Sequence, residues 1–257
     1  MAEPILQLDK LEKSFGALKA TDAVSLDLRP GECHALIGPN GAGKTTLIHQ
    51  ISGVLAPDAG RIVFDGVDVT GETPHERAQR GLARTFQITS VIPGFTALEN
   101  VALAVQARSG GSFRFFGRAR AETALNEAAR AALAAVDLDR RADVPAAALS
   151  HGERRGLELA IALAMKPRAL LLDEPMAGMG REESARLIET LRRLKGEEPI
   201  LLVEHDMEAV FALADRISVL VYGRVIATGA PEEIRADPEV RQAYLGEAGA
   251  GENGEAA

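Results

Sequence analysis

The chain has 257 residues, 46% of them hydrophobic and 26% charged, with a formal net charge of −8 at pH 7. These proportions are ordinary for a folded protein of one large domain, or of a domain with a subdomain, and they exclude disorder over most of the chain. Because proteins that neutralise many phosphates normally carry an excess of lysine and arginine, the acidic balance argues against an extended nucleic-acid interface and predicts no nucleic-acid partner.

The N-terminal segments predict a β-rich portion with hairpins. Residues 5–8, 24–28 and 61–64 are short apolar runs, and Gly66 and Gly71 follow the last of them as turn residues. Runs of this length that are bounded by turn residues are typical of antiparallel strands. The chain is therefore expected to begin with an antiparallel β portion.

A phosphate-binding loop lies between the strand-like residues 32–37 and the helix-like residues 45–52. Its glycines let the backbone curl into a nest of N–H donors around a polyphosphate, at the positive end of the helix dipole. Lys44 adds a charge that can reach the outer phosphates, and the Thr45 hydroxyl is placed to ligate Mg²⁺. A glycine-rich turn without a ligand is the alternative, and the complete match with both flanks disfavours it. The loop comprises Gly38, Pro39, Asn40, Gly41, Ala42, Gly43, Lys44, Thr45 and Thr46.

The strand pattern disappears at about residues 89–149, where alanine-rich helical sequence takes over. Helices are predicted at residues 97–106 and 119–136. Residues 108–118 between them combine glycines, phenylalanines and arginines. That composition fits a surface that meets a partner or a membrane, and it equally fits a solvated loop that tucks its aromatic rings into the core.

The second half of the chain alternates apolar strands with helices. Strands are predicted at residues 169–172, 200–203 and 217–221, with helices at 181–195 and 207–214 between them. Such alternation is typical of an α/β layer with parallel strands.

These changes of pattern predict the domain boundaries. Residues 1–88 and 150–246 are expected to form the α/β core, with residues 89–149 as an inserted helical subdomain. The small and acidic residues 247–257 predict a disordered tail.

Two carboxylates, Asp173 and Glu174, follow the strand at residues 169–172, at the end of the strand where open α/β sheets bind their ligands. Asp173 is placed to hold a magnesium shell, and Glu174 to polarise a water for attack on a terminal phosphate. Because adjacent residues of an extended segment point to opposite sides, the pair can divide these tasks. A solvated acidic turn is the alternative, and the complete phosphate loop disfavours it.

A helix start is predicted at Ser150, because Ser150 and Glu153 have the spacing of a capping box. The helix is expected to run to about Met165. A helix N-terminus that carries a serine and a glycine, here Gly152, is also a potential second anion site.

Together these motifs resemble those of ATP-binding cassette (ABC) ATPases. Leu149-Ser150-His151-Gly152-Glu153, followed by Arg154, Arg155 and the Asp173-Glu174-Pro175 segment, is similar to the signature motif and the second nucleotide motif of that family. The resemblance implies a P-loop NTPase core of ABC type, ATP and Mg²⁺ as ligands, and ATP hydrolysis as the activity.

The resemblance also implies roles for three residues that are not informative by themselves. Gln87 matches a glutamine that senses Mg²⁺ and the attacking water and leads into the helical subdomain. His205 matches the switch histidine that contacts the terminal phosphate, although alone it would fit a structural residue at a strand end. Phe15 resembles the aromatic residue that stacks on adenine, with a core phenylalanine as the rival interpretation.

In cassette ATPases two nucleotide-binding domains pair head to tail, and each ATP lies between the phosphate loop of one and the signature helix of the other. The resemblance therefore implies that Ser150, Gly152 and Glu153 act on ATP held by a second nucleotide-binding subunit, identical or paralogous. Two positions depart from the family pattern. His151 stands where a small residue is usual, and Gly180 stands where many members have an aspartate that communicates between the sites.

The resemblance extends over residues 8–247 and is closest to the ATP-binding subunits of branched-chain amino acid uptake systems, through residues 81–87, the length of the helical insert and residues 243–247. It implies an energising subunit of an importer for branched-chain or other amino acids. The implied partners are two transmembrane permease subunits and, indirectly, a periplasmic or extracellular solute-binding protein. Alternatives are the ATPase of a urea or amide importer, that of a lipopolysaccharide exporter, and a soluble cassette ATPase that acts on ribosomes or DNA repair intermediates.

The expected location follows from the absence of membrane signals. No apolar run approaches the about 20 residues needed to span a bilayer, and the start of the chain lacks the basic-then-apolar plan of a secretion signal. The chain is therefore expected at the cytoplasmic side of the inner (plasma) membrane, held there peripherally by its membrane subunits.

Overall fold

The computed structural model describes residues 3–85, 91–108 and 123–243. Within these ranges the strands are β1 (Leu6–Phe15), β2 (Leu18–Leu28), β3 (Cys33–Ile37), β4 (Ala59–Phe64), β5 (Val67–Asp68), β6 (Leu82–Arg84), β7 (Ala169–Asp173), β8 (Ile200–Val203), β9 (Arg216–Val221) and β10 (Arg224–Gly229). The helices are α1 (Lys44–Ile51), α2 (Pro74–Gln79), α3 (Ala97–Arg108), α4 (Thr123–Ala135), α5 (His151–Ala164), α6 (Arg181–Leu194), α7 (Met207–Leu213) and α8 (Pro231–Ala236).

A six-stranded sheet with the order β10-β9-β3-β8-β7-β6 forms the centre of the fold. All neighbouring strands are parallel except β10, which pairs antiparallel with β9 at the edge. Every residue of β3, β7 and β8 is buried, which explains their continuous apolar sequence. Because these three strands are adjacent and parallel, the loops that follow them meet at one edge of the sheet.

The predicted N-terminal β portion is a four-stranded antiparallel sheet with the order β2-β1-β4-β5. Leu6 and Phe64 of this sheet pack in one core with Leu47 of α1 and Leu171 of β7. Fully burying a leucine side chain contributes roughly 1.5–3 kcal/mol, so this core attaches the small sheet firmly to the central one.

The opposite face of the central sheet is covered by the helices of the insert and by α5. Leu133 of α4 and Leu157 of α5 share a second core with Leu172 and Leu202 of the sheet. Side chains alternate between the faces of a strand, so Leu171 and Leu172 belong to different cores although they are neighbours in sequence. Among the described residues, no helix is both long and apolar enough to cross a membrane.

Helix α1 is fixed at its C-terminal end by a buried cation. The Arg77 guanidinium donates hydrogen bonds to the carbonyl oxygens of Gln50 and Ile51, each at 2.7 Å, and to that of Thr70 at 3.0 Å. Carbonyl groups at a helix C-terminus lack partners within the helix, and a cation there also complements the dipole. Burial lowers the pKa of Arg77 from its usual value. These contacts hold the helix that begins at the phosphate loop.

The predicted α/β core and antiparallel portion are confirmed. The element boundaries differ most at β1 and at β2, which was predicted at 24–28 but begins at Leu18. The sequence predicts a strand at 5–8, but β1 runs to Phe15, because Leu11 is buried after Leu6 and Leu8 and the strand pairs with β2 as far as Phe15 opposite Leu18. Gln87, most of the loop at 108–118 and the tail at 247–257 lie outside the described residues. The division into domains stays a prediction.

Candidate active site

The phosphate loop joins the end of β3 to the start of α1 and is fixed there by close backbone contacts. Gly43, the residue before α1, has φ 105°, and a Cβ atom at this position would overlap the carbonyl oxygen of Ala20. A Cβ atom at Gly38 would overlap the carbonyl oxygen of Leu220. Any other residue would push the loop away from these neighbours. The glycines therefore keep the loop at the N-terminus of α1, where the dipole attracts anions.

The ammonium group of Lys44 points back into this loop. Lys44 is buried, and its Nζ donates hydrogen bonds to the carbonyl oxygens of Gly38 at 2.6 Å and of Pro39 at 3.0 Å. A neutral carbonyl satisfies a donor without neutralising the cation. A phosphate oxygen that replaces such a carbonyl forms a stronger, charge-assisted hydrogen bond.

Asp173 ends β7 with one carboxylate oxygen held and the other without a described partner. Its Oδ2 accepts a hydrogen bond from Arg84 Nη2 at 3.1 Å, while the buried Oδ1 has no hydrogen-bond partner among the described residues. A buried carboxylate oxygen of this kind is costly in an apolar interior and suits a hard cation, which prefers oxygen ligands. The chemistry of Asp173 therefore fits Mg²⁺. Thr45, the other predicted protein ligand that the structure describes, lies on α1, and α1 packs against β7.

The chain turns sharply at Glu174. This residue has φ 48°, and its N–H donates a hydrogen bond to the carbonyl oxygen of Val203 at 2.8 Å. The expectation that Asp173 and Glu174 lie on one extended segment was wrong. The two side chains still diverge, since that of Asp173 is 1% exposed and that of Glu174 is 30% exposed. The left-handed turn delivers the second carboxylate to the solvent-accessible edge of the sheet.

His205 follows β8 at the same edge and stands close to two carboxylates. Its Nδ1 lies 3.9 Å from Glu174 Oε1 and 3.7 Å from Glu204 Oε2. The His205 side chain is 62% exposed, whereas that of Glu204 is 1% exposed. The imidazole is therefore accessible to a ligand, while the glutamate beside it belongs to the interior.

The predicted capping box at the start of α5 is confirmed. Glu153 N–H donates a hydrogen bond to Ser150 Oγ at 3.1 Å, and Ser150 N–H donates one to Glu153 Oε2 at 2.8 Å. Burial alone would raise the pKa of Glu153, but the hydrogen bond from Ser150 and the Arg141 guanidinium, 2.8 Å from Oε1, outweigh it and lower the pKa. Glu153 is thus an ionised residue of the helix cap.

The remaining donors at the start of α5 are engaged by a carboxylate of the same chain. Ser150 Oγ and Gly152 N–H both donate hydrogen bonds to Glu183 Oε1, each at 3.3 Å. A Cβ atom at Gly152 would come within 2.7 Å of this carboxyl group. Glu183 lies in the first turn of α6 and was not singled out from the sequence. Its oxygen therefore accepts hydrogen bonds at the helix N-terminus that the sequence predicts as a second anion site.

His151 contacts the loop that follows Glu174. Its Nε2 donates a hydrogen bond to the carbonyl oxygen of Ala177 at 3.2 Å. The imidazole also packs over Gly178, where an added Cβ atom would lie 3.3 Å from Nε2. The absence of a side chain at Gly178 explains how the chain accommodates a histidine where the family pattern has a small residue.

The structure brings together some of the predicted site residues and separates others. The phosphate loop, Asp173, Glu174 and His205 share the edge formed by β3, β8 and β7. The start of α5 is hydrogen-bonded to α6 and to the loop after Glu174 instead.

Phe15 lies at the end of β1 and is 52% exposed, which excludes the core interpretation. Sequence reasoning missed Arg84, Glu183 and Glu204. Of these, only Glu204 had a local signal, as a charged residue directly after a fully apolar strand.

Family models match most of the chain. The model of ABC transporters matches residues 21–177, and that of branched-chain amino acid ATP-binding cassette transporters matches residues 224–250. The first range contains the phosphate loop, the start of α5, Asp173 and Glu174.

Curated relatives cover nearly the whole chain. The high-affinity branched-chain amino acid transport ATP-binding protein BraF of Pseudomonas aeruginosa is 37% identical over 96% of this chain and 100% of its own length. The protein LivG of Salmonella typhimurium, which carries the same description, is 38% identical over the same shares.

Solved structures of cassettes have the same fold. A nucleotide-free ATP-binding cassette from an ABC transporter is 31% identical over 94% of this chain and 99% of its own, with a TM-score of 0.82. The ADP conformation of another cassette is 30% identical over 95% and 100%, with a TM-score of 0.83. A dimeric cassette in a post-hydrolysis state, bound to ADP and Pi, is 25% identical over 88% and 98%, with a TM-score of 0.73.

Proposed function

The chain belongs to the ABC transporter family, and from this membership we propose that it is the ATP-hydrolysing subunit of an importer for branched-chain or other amino acids. The observation that carries the proposal is the shared edge of β3, β8 and β7. That edge places a phosphate loop, a buried aspartate, an accessible glutamate and an accessible histidine where α/β sheets bind their ligands.

The residues of this edge fit in-line attack of water on the terminal phosphate of ATP. The phosphate loop and Lys44 hold the phosphates and stabilise their charge. The Glu174 carboxylate orients the water and accepts its proton as the oxygen attacks phosphorus and the bond to ADP breaks. His205 donates a hydrogen bond to the terminal phosphate. Phe15, which is exposed at the end of β1, stacks on adenine.

Mg²⁺ belongs to this proposal as a ligand of Thr45, Asp173 and Gln87. Gln87 lies outside the described residues, so its part rests on the family resemblance. Bound Mg²⁺ supplies charge neutralisation at the phosphate oxygens. The Arg84 guanidinium orients Asp173 by holding one of its carboxylate oxygens, which leaves the other for the cation.

The complete site requires a second nucleotide-binding subunit, identical or paralogous. Ser150, Gly152 and Glu153 lie at the start of α5, which in its own chain is hydrogen-bonded to α6 and to the loop after Glu174, and a helix start of this kind binds anions. We place the terminal phosphate of the partner's ATP at this position. The dimeric post-hydrolysis cassette that resembles this chain supports such an arrangement.

The membrane partners are two permease subunits, with a solute-binding protein acting on them from outside the cell. A mostly apolar cavity of about 220 Å³ lies between β6 and α5, lined in part by Val54, Ala78, Ile161 and Met165. It adjoins Thr85 and the segment that leads to Gln87. This position suits the docking of a permease, which would hold the chain peripherally at the cytoplasmic side of the membrane.

Reconstitution with the permease subunits tests this function. The chain is co-expressed with both permeases, and the complex is assayed for ATP hydrolysis in vesicles with solute-binding protein loaded with leucine, with urea, or with no solute. Stimulation by leucine above the unloaded level supports the proposal. Stimulation by urea alone would move the chain to the amide-type importers, and failure to co-purify with the permeases would contradict a transport role.

A further inference from the structure

The carboxylate of Glu204 is buried between two loops of the site. Its Oε1 accepts a hydrogen bond from Met176 N–H at 2.9 Å. Its Oε2 accepts hydrogen bonds from His205 N–H at 3.0 Å and from Asp206 N–H at 3.4 Å. Glu204 is 0% exposed, so it reaches neither solvent nor substrate.

Burial of a charge requires compensation, and here backbone donors provide it. An ionised carboxylate in a protein interior costs several kcal/mol unless hydrogen bonds satisfy its oxygens. The three N–H groups come from two loops, one after β7 and one after β8. Glu204 can therefore remain buried only while both loops keep their present positions, and the loops in turn are held by the carboxylate.

The two loops carry the two accessible groups of the site. Met176 stands two residues after Glu174, and His205 is the residue next to Glu204. The backbone bond from Glu174 N–H to Val203 O already ties the same segments together. The hydrogen bonds of Glu204 connect these segments a second time, beyond the turn at Glu174. Glu204 Oε2 also lies 3.7 Å from His205 Nδ1. The buried side chain of Glu204 thus fixes the distance between Glu174 and His205.

We infer that Glu204 is a positioning residue for ATP hydrolysis, which fixes the general base Glu174 and the phosphate-contacting His205 relative to each other. The inference rests on the proposed function, because it takes the roles of those two residues from it. Glu204 touches no reacting atom.

The variant Glu204→Gln removes one of the two acceptor oxygens that connect the loops, with little change in the size of the side chain. Each loop needs an acceptor, and glutamine offers one oxygen and one NH2 group, so an N–H donor of one loop must face another donor. The kcat for ATP hydrolysis is expected to fall about ten-fold, the equivalent of about 1.4 kcal/mol in barrier height. The KM for ATP is expected to change less than about two-fold, because the phosphate loop is untouched.

Glu208→Gln is the matched control. Glu208 is exposed in the first turn of α7, only four residues further along the chain. The same chemical change at this position is expected to leave kcat and KM at wild-type values. Thermal unfolding of all variants is followed in parallel.

A double-mutant cycle distinguishes positioning from general destabilisation. Single-turnover hydrolysis is measured for wild type, Glu204→Gln, His205→Ala and the double variant. If Glu204 acts through the loop of His205, the glutamine costs clearly less rate in the His205→Ala background. An equal loss in both backgrounds, or a kcat like that of Glu208→Gln, would overturn the inference.

A further variant covers the case in which Glu204→Gln does not fold. Glu204→Asp keeps both acceptor oxygens and the charge but is one methylene shorter, so it too is expected to lower kcat with little effect on KM. Normal kcat in this variant would contradict the inference. If the wild-type complex hydrolyses ATP and Glu174→Gln does not, wild-type kcat in the Glu204 variants rejects this inference alone. An inactive wild-type complex rejects the proposed function as well.

Discussion

The phosphate loop and the start of α5 are both helix N-termini that present hydrogen-bond donors, but these donors have different partners. At the phosphate loop, Lys44 donates to the neutral carbonyl oxygens of Gly38 and Pro39. At α5, Ser150 Oγ and Gly152 N–H donate to the anionic carboxylate of Glu183. Two neutral carbonyl groups thus accept hydrogen bonds from Lys44, whereas the donors at α5 have a negatively charged acceptor.

This difference indicates how the two halves of the ATP site, the phosphate loop and the start of α5, take up a phosphate. A phosphate oxygen at Lys44 replaces a weaker neutral acceptor, so the loop is preorganised for nucleotide. A phosphate oxygen at Gly152 must displace a carboxylate of like charge. The phosphate-loop half is therefore expected to bind ATP first, and the start of α5 to engage it only when a second chain closes on it.

The largest effect is expected from the base in the phosphate-loop half. Glu174→Gln should lower ATP hydrolysis by about 10²- to 10⁴-fold, because the amide cannot accept a proton from water. ATP binding should persist, and the ATP-bound dimer should accumulate. The measurement is steady-state phosphate release together with nucleotide binding. Normal turnover would exclude Glu174 as the base.

Lys44→Ala tests whether this half binds the nucleotide. Loss of charge-assisted hydrogen bonds of roughly 1.5–3 kcal/mol should weaken ATP binding by about 10- to 100-fold. Titration with a fluorescent ATP analogue measures the dissociation constant. Lys10→Ala, an exposed lysine on β1, is the control. Equal affinity in both variants would place the nucleotide elsewhere.

Acid should weaken the strand that leads to the phosphate loop. His34 of β3 is buried, and this burial, together with the nearby Arg216, lowers its pKa from 6.5 to about 4. Between pH 6.5 and about 4, His34 binds a proton in the unfolded chain but stays neutral in the folded chain. Stability is therefore full above pH 6.5 and falls by about 3 kcal/mol as the pH drops to about 4.

Urea unfolding at pH 7, 6 and 5 measures this dependence. His34→Gln should flatten it, whatever the stability of that variant at pH 7. The exposed control His75→Gln should keep the wild-type slope. An unchanged slope in His34→Gln would show that other groups cause the acid sensitivity.

The smallest effect is expected at Glu183. In a Glu174→Gln background, Glu183→Gln should lower the chain concentration needed for ATP-driven dimerisation by about two- to five-fold, the range of a partly exposed charge interaction. Glutamine can still accept the hydrogen bond from Gly180 N–H, so α6 keeps its start. Sedimentation measures the dimer, with Glu182→Gln as the control. Identical dimerisation in both would mean that Glu183 does not compete with phosphate.

Much of the site could be predicted because its chemistry depends on residues that are close in sequence. The phosphate loop needs glycines, a lysine and a threonine at fixed spacing, and the cap of α5 needs Ser150 and Glu153 three residues apart. The turn at Glu174 could not be predicted in the same way, since a glutamate with φ 48° has no local sequence signal and the N–H of this residue bonds to Val203 on the neighbouring strand.

The sequence by itself determined the family, the phosphate loop and the carboxylates at the end of β7, because these follow from local patterns of residue type. Only the tertiary structure brought the Glu204 carboxylate into hydrogen-bond contact with Met176 N–H, 28 residues away, and the Glu183 carboxylate into contact with Gly152 N–H, 31 residues away. Contacts of this kind depend on how strands and helices pack. The physical reason is that a buried or paired carboxylate is stable only where distant parts of the chain bring donors to it.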